Sequence, residues 1–145
     1  MNVKFGNEIK NASWVPRAAL LDAWSDFDWS NGLQIETMPE LETLAVRTQN
    51  SMYEITILCG GTGEVLVRGG KFFPERTPAL LAGSTLGGSI LRMGGIYVGM
   101  RMEIAPQPVQ MISKVVHDPT TGEKEVLLGR IVVTTSPVQT IGVVL

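Results

Sequence analysis

From residue 44 onward, apolar and polar positions alternate in short runs. Leu44, Val46 and Thr48 alternate with Ala45, Arg47 and Gln49, and Tyr53, Ile55, Ile57 and Cys59 alternate with Met52, Glu54, Thr56 and Leu58. A period of two predicts strands with one face on a core. Gly60-Gly61-Thr62-Gly63 reads as the hairpin loop to a returning strand over 64–68. Ile96, Val98, Met100, Met102 and Ile104 alternate with Tyr97, Gly99, Arg101 and Glu103, which predicts a single core strand whose second face carries Tyr97, Arg101 and Glu103. Thr77 to Gly83 offers an N-cap, a proline at the first helical position and a terminal glycine, so a single helical turn is expected there. Later strands are expected over 109–116, 125–135 and 138–145, with a bulge at Gly129 and a kink at Ser136-Pro137. Roughly seven to nine hairpin-spaced strands with almost no helix predict an all-β fold, a small antiparallel barrel or sandwich. The glycine pairs Gly87-Gly88 and Gly94-Gly95 read as bends that let such a sheet close.

Residues 1–42 differ in kind, which divides the chain into an acidic, tryptophan-rich extension and an all-β domain over 43–145. Pro16 to Trp24 predicts a short helix with proline at its start. Leu20, Trp24 and Phe27 fall at i, i+4 and i+7, and Trp29 follows. These four are the candidate partner anchors. They either cover the open end of their own barrel or reach a protein partner through residues 13–29.

Composition sharpens the picture. Mean hydropathy is +0.17 with 18% charged residues, so apolar surface is expected to be buried between subunits and a homo-oligomer follows. A net charge of −2 argues against a bulk nucleic-acid binder. The acid is concentrated in the extension. Lys4, Lys10 and Arg17 stand there against seven carboxylates, Glu8, Asp22, Asp26, Asp28, Glu36, Glu40 and Glu42. The single cysteine excludes an intrachain disulfide and any cysteine metal site, and its apolar run suggests a buried, inert thiol. The first residues carry no apolar signal region and the apolar runs are too short for a membrane span. The expected location is cytoplasmic.

Chemistry is sparse. No phosphate-binding glycine motif opens a helix, and His117 stands alone in a turn beside Asp118. No catalytic residue, metal site or cofactor is expected. The candidate ligand or partner surface is Arg92, Tyr97, Arg101 and Glu103. Two alternatives to a self-associating, non-enzymatic protein remain. One is a nucleic-acid-binding barrel using Arg47, Arg68, Arg92 and Arg101. The other is a ligand-binding or enzymatic barrel using the Gly87–Gly95 segment, with a pocket lined by Ser84, Ser89, Arg92 and Glu103.

A series of blocks also stands out: Val46 to Ile55, Phe73-Pro74-Glu75, Gly83-Ser84 with Gly87-Gly88-Ser89, Gly94 with Gly99 to Glu103, and Thr134 to Gln139. In these the chain resembles a group of short bacterial proteins of unknown function. The resemblance covers about residues 44–141. It implies that the blocks form one compact unit, and it implies no activity or cofactor.

Overall fold

Alternating runs can satisfy their backbone only by pairing, and in the computed structural model, which describes residues 2–5, 8–9, 17–87 and 90–144, they pair into a closed ring. In chain order the elements are β1 (Asn2–Phe5), β2 (Glu8–Ile9), α1 (Arg17–Ser25), β3 (Gly32–Gln34), a 3-10 turn (Ile35–Thr37), β4 (Thr43–Thr48), β5 (Met52–Cys59) and β6 (Glu64–Gly69). They continue with β7 (Phe73–Thr85), β8 (Leu91–Met93), β9 (Gly95–Tyr97), β10 (Arg101–Pro106), β11 (Met111–His117) and β12 (Lys124–Val144). Neighbouring strands run in the order β10, β7, β6, β5, β4, β12, and β12 pairs back onto β10. These six make an antiparallel barrel. The predicted all-β fold with one short helix is what the chain forms. The additional strands are short pieces such as β2, β3, β8 and β9, with two or three residues each.

The barrel interior is filled by the residues that alternation nominated. Leu44, Val46, Ile55, Ile57, Val65, Val67, Phe73, Met102 and Ile104 are buried in one cluster. The polar seam closes at the Thr48–Ser51 turn and Thr135-Ser136. The Ser136 hydroxyl donates to Thr48 Oγ1 at 2.8 Å and accepts from the Asn50 N–H at 3.0 Å, while Thr135 Oγ1 accepts from the Met102 N–H at 3.0 Å. Three of the sequence blocks therefore meet where β4, β12 and β10 join.

Three expectations are corrected. The helical turn at Thr77–Gly83 is instead the middle of β7, a 13-residue strand. Pro78 is tolerated there because its missing N–H faces Gln107, one residue past the end of β10, while its carbonyl still accepts from the Gln107 N–H at 2.9 Å. The single strand expected over 96–104 is two strands. A turn at Val98-Gly99-Met100 parts β9 from β10, with the Met100 N–H bonded to the Tyr97 carbonyl at 3.1 Å. Gly129 pairs in register with Ile112 and Phe5, so it is no bulge. The register shifts fall at Arg101–Glu103 and Val138–Thr140, where β12 changes partners.

The extension joins the same body. β1 pairs with β12, and β3 pairs with β9. The expected helix is α1, and Leu21 on it is exposed. The side chain of Leu20, like Trp14 and Ser89, lies outside the described residues.

Candidate functional site

The surface nominated first does not form. Arg92, Tyr97, Arg101 and Glu103 sit in three different environments, because the turn at 98–100 and the register shifts in β10 reset the alternation. Arg101 is exposed, and its Nη1 lies 3.3 Å from the Thr135 carbonyl. Glu103 is buried, and Arg92 and Tyr97 belong to a separate aromatic cluster.

That cluster is built by the extension. Trp29 meets Trp24, Phe27 and Tyr97 edge to face, with ring centroids 4.8, 4.9 and 5.0 Å apart. The Arg92 guanidinium lies 4.3 Å from the Trp29 ring centroid and 5.3 Å from that of Tyr97. Gln34 ties the group together. With its carboxamide turned to satisfy both ends, its oxygen accepts from Arg92 Nε at 3.1 Å and Tyr97 Oη at 3.0 Å, and its nitrogen donates to the Met93 carbonyl at 2.8 Å. Three of the four candidate anchors, Trp24, Phe27 and Trp29, are thus turned onto the protein's own body. Arg92 occupies the place that a cationic ligand would take over these rings. Replacing Arg92 by Ala is expected to cost about 1 kcal/mol of stability and to redden tryptophan emission as Trp29 gains solvent. Chemical denaturation followed by fluorescence reads both.

Glu103 lines a cleft of about 250 Å³ with Gln34, Glu36, Gly61, Met93 and Arg130. The expected pocket around Gly87–Gly95 is thereby relocated. It keeps Glu103 and Gly94, but Arg92 turns to the tryptophan, and the Ser84 hydroxyl donates to the Gly95 carbonyl at 2.8 Å. Cys59, beside the glycine loop of this cleft, is half-buried and is not the buried thiol expected from its run. Hydrogen bonding from the Thr62 side chain and backbone, with a further bond from the Gly61 backbone, holds its thiol below the ordinary thiol range.

Three of the four arginines of the nucleic-acid alternative are engaged within the chain, Arg101 through the bond from its Nη1 to the Thr135 carbonyl. Arg68 Nη2 donates to both oxygens of Glu54 at 2.9 Å, and Arg92 lies over Trp29. His117 closes β11 opposite Lys124 and is exposed.

The feature that sequence reading did not single out is the exposed face of the β11–β12 hairpin, whose two strands it expected. Its tip is set by Asp118, whose carboxylate accepts from the Thr120 N–H at 2.8 Å. This bond, with one from Thr121, keeps that carboxyl below its usual range. The register pairs Val115 with Val126, Ser113 with Leu128 and Met111 with Arg130, which places all six on one face. Met111 is 59% exposed, Val115 51%, Val126 61% and Leu128 60%. Four apolar side chains therefore stand in solvent along one side of a two-stranded arm roughly 20 Å long. The strands over 109–116 and 125–135 were legible, but nothing in the sequence indicates that this face lies in solvent.

No family model, no characterised protein and no solved structure matches the chain. Among the described residues, no helix is long and apolar enough to cross a membrane.

Proposed function

We propose that this protein is a non-enzymatic, self-associating assembly or binding protein, acting in the cytoplasm, whose β11–β12 hairpin is its contact arm. The observation that supports this is the single apolar face of Met111, Val115, Val126 and Leu128, which projects from a barrel whose own core is already closed. Scattered apolar residues are ordinary on protein surfaces, whereas a contiguous, one-sided strip marks a contact surface. The aromatic cluster supports the same reading from the other side. With Trp24, Phe27 and Trp29 packed against Tyr97 and Arg92, the hairpin carries four of the exposed apolar side chains on one face. Light scattering on the full chain at micromolar concentration is expected to give a multiple of 15.7 kDa. A monomer mass under those conditions overturns the reading.

A further inference from the structure

We infer that a second copy of this chain occupies the free edge of the hairpin, joined by antiparallel pairing of two β11 strands about a two-fold axis at Ser113, which sets the apolar residues of the two β11 strands beside one another. The inference rests on the self-association just proposed and specifies its geometry. β11 pairs with β12 along one edge, and among the described residues no strand pairs with its other edge. The Ile131 N–H donates to the Gln110 carbonyl, and the Asp118 N–H to the Glu123 carbonyl, each at 2.9 Å. In an antiparallel ladder hydrogen-bonded pairs alternate, so the even positions 112, 114 and 116 bond to β12. Met111, Ser113, Val115 and His117 therefore turn their N–H and C=O groups outward, on a strand whose seven residues contain neither proline nor bulge.

A copy of the same strand fits this edge better than a charged partner does. Over residues 111–130, Lys114, Lys124 and Arg130 balance Asp118, Glu123 and Glu125, so two arms meet with no net repulsion. Odd positions must face odd positions for the outward groups to bond, which leaves a two-fold at Ser113, Lys114 or Val115. An axis at Lys114 sets two ammonium groups directly opposite each other, which is destabilising. An axis at Val115 opposes Ser113 to His117 and leaves Met111 without a partner. The axis at Ser113 opposes Met111 to Val115 of the second copy, twice, and merges the two apolar strips into one surface. The product is a continuous four-stranded sheet across two chains, an isologous contact that closes on itself.

Two variants of the full chain test this. Ser113→Pro removes an N–H that faces outward, so the hairpin keeps its internal ladder while the intermolecular one loses its centre. It is expected to weaken association at least tenfold and to give a 15.7 kDa species where the parent is twice that mass, with an unchanged circular dichroism spectrum. In a Cys59→Ser background, Ser113→Cys brings two thiols across the axis at a Cα spacing of about 5.5 Å, within disulfide reach. Mild oxidation is expected to give a covalent dimer. If the parent is oligomeric, Ser113→Pro stays oligomeric and Ser113→Cys does not cross-link, the β11 pairing is overturned while self-association stands. A cross-link from Val115→Cys but not from Ser113→Cys overturns the axis. A monomeric parent overturns both readings.

Discussion

Gly83→Ala is expected to destabilise the protein by about 2–5 kcal/mol and to lower the urea midpoint by about 1–2 M. Gly83 is buried in β7 with a φ of +146°, where side chains are strained. A Cβ built there lies 2.0 Å from the Arg92 carbonyl oxygen and 2.8 Å from its carbon. Both are backbone atoms, so no rotamer change relieves the clash. Gly83 pairs with Met93 on β8 and Glu103 on β10. Relief therefore means pushing β8 off the barrel, and with it Arg92, which holds Trp29. The loss of fold stability should be accompanied by loss of the near-ultraviolet signal of the tryptophans. Gly142→Ala is the control. A Cβ at Gly142 meets nothing within 4 Å, so its stability should stay within about 0.5 kcal/mol of the parent. Equal midpoints for the two variants would show that the Gly83 approach is not what fixes β8.

The double variant Met111→Asp/Val115→Asp is expected to abolish self-association without unfolding the chain. Full burial of a Val or Met side chain contributes roughly 1.5–3 kcal/mol. These two are 59% and 51% exposed in the isolated chain and face each other across the proposed axis, so each has about 1 kcal/mol still to gain from a partner. A two-fold contact counts each residue twice, giving about 4 kcal/mol, or roughly a thousandfold in dissociation constant. Burying carboxylates adds to the loss. Because both positions face solvent in the single chain, thermal melting at low protein concentration should be nearly unchanged. Analytical ultracentrifugation over a concentration series separates the two effects. A double variant that still assembles would place the contact elsewhere on the molecule.

These expectations draw on different layers of information. The hairpins β4–β5 and β5–β6 were readable residue by residue, because period-two alternation sits next to short turns in the chain, Asn50-Ser51 in the first and the Gly-rich loop 60–63 in the second. Leu44, Val46, Ile55 and Ile57 were identified as core before any contact was known, and each is fully buried. Thr77 to Gly83 carried good local helix signals and still became strand. Pairing with β6 on one side and β10 on the other outweighs a single turn of helix, whose nucleation is unfavourable on its own. Arg92, Tyr97, Arg101 and Glu103 failed as a set for a related reason. A turn and a register shift between them do not disturb the apolar alternation visible in sequence, yet a one-residue slip sends a side chain to the opposite face.

The sequence by itself determined the all-β class, the local hairpins, the short N-terminal helix and much of the barrel core. Those features depend on contacts between residues near each other in the chain, or on burial that any closed sheet imposes on an alternating run. Tertiary structure alone decided that β12 closes the ring on β10 and that Arg92 caps Trp29. It also decided that Glu103 is buried beside a cleft, and that, among the described residues, β11 keeps an unpaired edge and an uncovered apolar face. Each of these is a choice of partner between distant segments. Alternation states that a strand has an apolar side but not what lies against it, so the same pattern made a core of β4 and an exposed arm of β11.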